Sequence, residues 1–171
     1  MPVLKPIPNL ERRPEEGSIY EGEERVITFR ASTFRLIIET VRAMAGGVVT
    51  KTIFYLVGNA IGRRSLEYSK DIITTDNLAD VIDNVLSLRG WGRLASLNKR
   101  ESPNAVIYEF TLLGCIVCEK STAKEPICDI MRGIFAGWLD AFLQKKARSC
   151  VETGCKATGG SSCVFEVTFA K

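Results

Sequence analysis

The chain has no histidine among its 171 residues, and that absence removes much of ordinary enzyme chemistry. Without imidazole there is no Ser-His-Asp or Cys-His pair, no histidine-ligated haem and no histidine-based zinc site. Any metal must rest on sulfur and carboxylate. No G-x-G-x-x-G follows a strand-like segment, so a dinucleotide-binding turn is not expected either. The 23 basic and 20 acidic residues are spread along the chain to a net charge of +3. Without a basic stripe to neutralise phosphates, nucleic acid is not an expected partner. Long uncharged apolar runs are missing as well: Val48 to Ile61 is interrupted by Lys51 and Asn59, and Ile127 to Leu143 by Asp129, Arg132 and Asp140. No membrane span or membrane partner is therefore expected. Met1 to Gly17 has prolines at 2, 6, 8 and 14 where a signal peptide would have an apolar core. These absences together predict a cytoplasmic protein.

What the chain does have is a globular composition, 46% hydrophobic and 25% charged, at a length that fits one ordinary domain. An extended N-terminal lead-in is expected over 1–17, followed by a single domain over 18–171. Strand-like text runs from Ser18 to Phe29. Ser32 or Thr33 can cap a helix over Phe34 to Met44 that Gly46-Gly47 ends, and a longer helix runs from Val48 to about Ser69. In it Gly58 and Gly62 share one side, permitting close approach of another backbone or of a ligand. Thr75-Asp76-Asn77 opens a helix over Leu78 to Leu88. Strands follow at Arg93 to Lys99 and Ala105 to Leu113, the second alternating Val106, Tyr108, Phe110 and Leu112 against more polar neighbours, as in an antiparallel sheet. Pro126 suits the first turn of a helix over Ile127 to Lys146 that lies on the sheet, with Gly133, Ala136 and Gly137 leaving one side nearly bare. A hairpin closes the chain: Ser149 to Cys155, a loop with Gly159-Gly160, and Cys163 to Ala170.

Six cysteines in a reducing compartment read as metal ligands or buried small hydrophobes before they read as disulfides, intracellular proteins of hyperthermophiles being the known exception. Cys128, Glu152, Cys155 and Cys163 supply three thiols and a carboxylate, a set that closes a tetrahedral shell around zinc. Glu152 and Cys155 are an odd number of residues apart and would face opposite sides of a regular strand. A bulge or strand end at Gly154 would turn both to one point. Four protein ligands leave no open position for water, the signature of a structural metal. Cys115 and Cys118 form a C-x2-C pair, open either to joining Cys155 and Cys163 in a four-cysteine site or to redox chemistry. Cys150 reads as a core-facing strand residue.

Pro126-Ile127-Cys128, Gly133 to Leu139, Glu152-Thr153-Gly154-Cys155-Lys156-Ala157-Thr158-Gly159 and Cys163-Val164-Phe165 together resemble the 4-vinyl reductase domain family. That family includes archaeal small-molecule-binding proteins and the sensor domains of bacterial aromatic-responsive activators. The resemblance implies an α/β domain of the α+β kind, an antiparallel twisted sheet flanked by helices, similar to Golgi transport-particle subunits and commonly dimeric. It implies zinc on Cys128, Glu152, Cys155 and Cys163, and a buried cavity for a small apolar, hydrocarbon-like molecule. Tyr108, Phe110, Phe135 and Trp138 are candidate cavity residues, ordinary core packing being their other reading. The sequence lacks the histidine that the aromatic sensors turn toward a phenolic hydroxyl. The expected function is a zinc-stabilised, homodimeric small-molecule binding or sensing domain. Two alternatives stay open: a reductase component acting on a vinyl group, and a protein-protein adaptor of the transport-particle type, in which a thiol such as Cys115 would carry an acyl chain.

Overall fold

Alternating side chains on four strands, each bounded by turn residues, build the layer on which everything else rests. The structure, a computed structural model, describes residues 10–67 and 73–171. The start of the expected lead-in and the end near Ser69 of the second expected helix lie outside the described residues. Strands β1 (Leu10–Arg13), β2 (Ser18–Glu21) and β3 (Glu24–Val26) form a small antiparallel sheet in that order. The last stretch of the lead-in thus folds back on β2. Pro14 starts a single tight turn over Pro14–Glu16, and Gly17 ends it at φ 60°. Helices α1 (Ala31–Glu67) and α2 (Leu78–Leu88) follow, then strands β4 (Arg93–Glu101) and β5 (Ala105–Leu113). Helix α3 (Asp129–Phe142) and strands β6 (Ser149–Gly154) and β7 (Cys163–Ala170) complete the chain. The main sheet is antiparallel with order β4-β5-β7-β6. Among the described residues the architecture is three helices with two antiparallel sheets, an α+β fold.

Period-two alternation does what it predicts. Phe110 lies opposite Phe165, and Leu112 opposite Cys163, and all four are fully or almost fully buried on one face. On the other face Arg100 bridges Glu109 and Glu166 at 3.5 and 2.7 Å. Helix α3 covers the inner face and is itself covered by α1, so it is buried on nearly every side. Its two buried carboxylates are both satisfied. Asp129 accepts from Arg132 at 2.7 Å, while Asp140 accepts from the Ala147 amide at 2.7 Å and from Asn59 at 3.2 Å.

Two helix boundaries differ from the sequence expectation. Gly46, at φ 76° and ψ 166°, breaks α1 into two helical segments without separating them, and Thr50 Oγ1 donates to the Gly46 carbonyl at 2.7 Å to help restart the helix. Helix α3 is shorter than predicted. Pro126 stays outside it because the Cys128 amide is taken by the Glu152 carboxylate, which leaves Cys128 as the N-terminal cap residue. At the other end Gln144 turns left-handed, at φ 49°.

Glycines decide how closely α1 meets α3. Gly58 and Gly62 on α1 face Gly133 and Gly137 on α3, and a Cβ at any of the four would collide with main-chain atoms of the opposite helix. Backbone approach, rather than a ligand, is what those positions serve. The remaining face of α1 is apolar and bare: Met44 and Val48 are 83% and 81% exposed, with Leu36, Ile53, Leu56 and Val57 alongside. By length and composition Ala31–Leu66 is long and apolar enough to cross a membrane. This corrects the sequence expectation of no such segment, which rests on Lys51 and Asn59 as interruptions. Lys51 is the one charge between Met44 and Ile61, too little to lower the mean hydropathy below 1.2. The same test passes core helices of soluble proteins.

Gly58→Ala and Gly133→Ala should each cost about 1–3 kcal/mol or more through overpacking, read as a shifted urea midpoint. Gly47→Ala, where an added Cβ meets open space, serves as the control. Equal midpoints in all three would contradict the close crossing.

Candidate metal centre

Five of the six cysteines converge where the β5–α3 loop, the start of α3 and the terminal hairpin meet. All six are free thiols and buried. The C-x2-C pair sits in a helical turn, where the Glu119 amide donates to the Cys115 carbonyl at 3.1 Å and both sulfurs turn inward. The Ala123 amide donates to the Ala157 carbonyl at 2.8 Å, tying this loop to the hairpin loop. Cys128 comes from the front of α3. The β6–β7 register slips between Glu152 and Gly154, so that Glu152 lies opposite Phe165 but Gly154 opposite Val164. The extra residue, Thr153, is the bulge that the odd spacing of Glu152 and Cys155 demands. It brings Cys155 onto the side of Cys163.

The sulfurs lie at spacings a metal would use. Cys115 is 3.6 Å from Cys128, Cys118 is 3.3 Å from Cys163, and Cys128 is 3.9 Å from both Cys155 and Cys163. A tetrahedral ion with sulfur at about 2.3 Å has edges of about 3.8 Å. Two sets of four ligand atoms, each mutually within 4.8 Å, can be drawn here: Cys115, Cys118, Cys128 and Cys163, or Cys128, Glu152, Cys155 and Cys163. Glu152 uses Oε2 to accept from the Cys128 amide at 2.8 Å, while its Oε1 is buried without a partner. An unpaired buried carboxylate oxygen next to thiols is a vacant donor, and it fits the group that the fold family implies. Soft thiolates favour zinc and other thiophilic ions over magnesium or calcium.

Protonation in the cluster follows from crowding. Burial, then the Cys155 thiol, pushes the Glu152 carboxyl up to about 8 against the pull of the Cys128 amide. The Cys128 thiol pushes Cys155 down to about 5. Hydrogen bonds from Cys115, Cys128 and Cys163 lower Cys118, while contacts with Cys115, Cys118, Cys155 and Cys163 raise Cys128. Contacts with Cys115 and Cys118 raise Cys163. The cluster alone therefore shares protons; a bound cation would favour the charged form of every donor. Cys150, outside the cluster and pushed up to about 12 by burial, faces the core as its strand position predicts. Of the basic residues near the site in sequence, Arg132 pairs with Asp129 and the Cys150 carbonyl rather than with a donor of the cluster. Lys156 contributes its amide, 3.5 Å from the Cys163 sulfur.

The aromatic candidates are placed elsewhere. Phe110 stacks on Phe135 at 4.4 Å between centroids, and Phe135 meets Phe165 and Trp138 at 5.0 and 5.7 Å. Tyr108 packs edge-on against Phe169. These rings fill the core between sheet and α3. A cleft of about 120 Å³ opens instead between the first half of α1 and the β5–α3 loop, lined by Arg35, Ile38, Arg42, Val117, Thr122 and Ile127 among others. Arg35 pairs with Glu119 at 3.2 Å, whereas Arg42 Nε is buried with no hydrogen-bond partner among the described residues. Sequence reasoning missed this cleft because its lining combines a helix face with an irregular loop. It left Cys115 and Cys118 between two readings; the structure sets both against the other sulfurs.

Residues 108–169, which contain the whole cysteine cluster, match the model of the 4-vinyl reductase domain. Fold and cluster together define an α+β domain of the 4-vinyl reductase type. The phenol-responsive sensory domain of the transcription activator PoxR has a similar structure, with TM-score 0.76 and 19% identity over 93% of this chain and 84% of that one. So does a vinyl-4-reductase family protein from Methanocaldococcus jannaschii, at 0.58 and 19% over 85% and 84% of the two chains. Subunit 3 of the trafficking protein particle complex from Naegleria fowleri, covalently bound to palmitic acid, reaches 0.61 and 16% over 82% and 92%. At these identities the likeness is one of fold. No curated protein sequence matches the chain.

Glu152→Ala should strand the buried Cys128 amide and cost about 1–3 kcal/mol even in the presence of a strong chelator, read by urea denaturation. Glu152→Gln keeps an acceptor and should cost less. Equal losses would mean that this hydrogen bond does not anchor α3.

Proposed function

We propose that the chain is a small-molecule binding or sensing domain, stabilised by zinc and paired with a second copy of itself. The observation that carries the metal is the converged set Cys128, Glu152, Cys155 and Cys163 with the unpaired Glu152 oxygen. When bound, the ion would supply a structural crosslink. The four residues would hold it, joining the front of α3 to both sides of the terminal hairpin, and with all positions filled by protein it would serve stability rather than hydrolysis. The ligand site is the cleft beside the cluster, whose lining residues Val117 and Ile127 neighbour Cys118 and Cys128 in the chain. Its floor is apolar, and the unpaired Arg42 Nε would receive an acceptor atom of the ligand. The sensor-like fold supports this reading, because the PoxR domain is phenol-responsive. The core positions of Tyr108, Phe110, Phe135 and Trp138 make them a wall behind the site. The bare apolar face of α1 is the surface for the second copy, since exposed apolar patches of this kind mark interfaces. Cytoplasmic location is part of the same reading, because it keeps the thiols reduced.

Native mass spectrometry reads the three parts at once, as zinc per chain, a retained small molecule and a two-chain assembly. Val48→Glu should reduce the assembly to one chain while leaving the zinc. A zinc-free wild-type monomer with no retained molecule, and no thermal shift with neutral aromatics or aromatic acids, would overturn the proposal.

Chelation should lower the melting temperature. Saturation at about 1,000-fold over Kd is worth about 4 kcal/mol, or about 8–16 °C for a chain of this length. Cys155→Ser and Cys163→Ser should melt near the chelated protein, and an unchanged melt with metal intact would remove these ligands.

A further inference from the structure

We infer that the cluster is built for two divalent ions, with Cys128 and Cys163 bridging them. This inference rests on the metal reading above. Both four-ligand sets contain Cys128 and Cys163, and neither set contains all six donors. Two tetrahedra that share an edge need six donors, two of them bridging, and five thiols and one carboxylate are what the site holds. One ion would lie among Cys115, Cys118, Cys128 and Cys163, the other among Cys128, Cys163, Cys155 and Glu152. The shared edge, Cys128 to Cys163, measures 3.9 Å, close to the edge of about 3.8 Å that a tetrahedral thiolate ion requires.

A single ion leaves a remainder that is hard to house. In one set it abandons Cys115 and Cys118, buried at 2% and 1% exposure and directed at the very sulfurs that bind it. In the other it abandons Cys155 and the unpaired Glu152 oxygen. Charge points the same way. Six ionised donors around one divalent ion leave about four negative charges in a buried site, and a second ion reduces that to about two, the balance of a lone ion on three thiolates and a carboxylate. Binding the second ion costs the protons of Cys115 and Cys118, which leave to solvent; no oxidation state changes. The loop hydrogen bond from Ala123 to Ala157 holds the C-x2-C turn against the hairpin, so the second position is formed by the same contacts that close the fold.

The test is metal stoichiometry and ¹¹³Cd NMR on the full chain, loaded with zinc or with ¹¹³Cd. Two ions per chain are expected, with two cadmium resonances split by their coupling through the bridging sulfurs. The double variant Cys115→Ser/Cys118→Ser should retain one ion, one unsplit resonance and its circular dichroism. One ion in the wild type, unchanged in that variant, overturns the pair and leaves the single-ion reading standing. One ion lost in that variant but kept in Cys155→Ser overturns both the pair and the ligand set proposed above. Iron with acid-labile sulfide in the purified protein also overturns the pair. No metal bound at all defeats the metal reading itself.

Discussion

The convergence of five sulfurs and one carboxylate is the constraint around which the C-terminal half of the fold is arranged. Three separate pieces of chain must arrive together: a loop after β5, the first residue before α3, and both arms of the last hairpin. Each arrives by a local device, respectively a helical turn that aims Cys115 and Cys118, an amide of Cys128 held by Glu152, and a bulge at Thr153. None of these devices is stabilising by itself on the scale of a core. Their common product is a buried polar cluster, and such a cluster favours a single arrangement only when its donors are satisfied.

The apolar core does the complementary work. Phe110, Phe135 and Phe165 lock α3 to the sheet, and the facing glycines let α1 settle on α3 at backbone distance. With α3 gripped on both sides, its first turn is immobilised, and the position of Cys128 with it. The cleft between α1 and the β5–α3 loop shares that loop with the cluster. Any ligand that moves the loop therefore acts on residues next to Cys118 and Cys128, a direct physical route from binding to the stability of the site.

Much of this was legible before any coordinates. Leu78 to Leu88 repeats its apolar residues at helical spacing between Asn77 and Gly90, and the helix has those ends. Val106 to Leu112 alternates, and the strand pairs as an antiparallel neighbour. The odd interval from Glu152 to Cys155, with Gly154 inside it, forecast a bulge from covalent geometry alone. What escaped depends on tertiary context. Gly46-Gly47 signalled a helix end, and only the packing of both segments against their neighbours keeps the chain running on as a broken helix. Pro126 signalled a helix start, yet the Cys128 amide is claimed by a carboxylate 24 residues away. The C-x2-C pair was visible, but its choice of partners rests on a loop with no periodicity to read. Phe135 and Trp138 could be cavity or core from sequence, and the difference lies in how closely Phe110 and Phe165 approach.

The most direct test of the central claim is native-state hydrogen exchange followed by mass spectrometry, with and without a strong chelator. If the cluster clamps these elements through a metal, chelation should speed exchange together in the 115–128 loop and the hairpin segment 150–165. Helix α2 and the turn between β4 and β5 should hardly change. Exchange that is indifferent to the chelator, or that rises uniformly along the chain, would contradict the account.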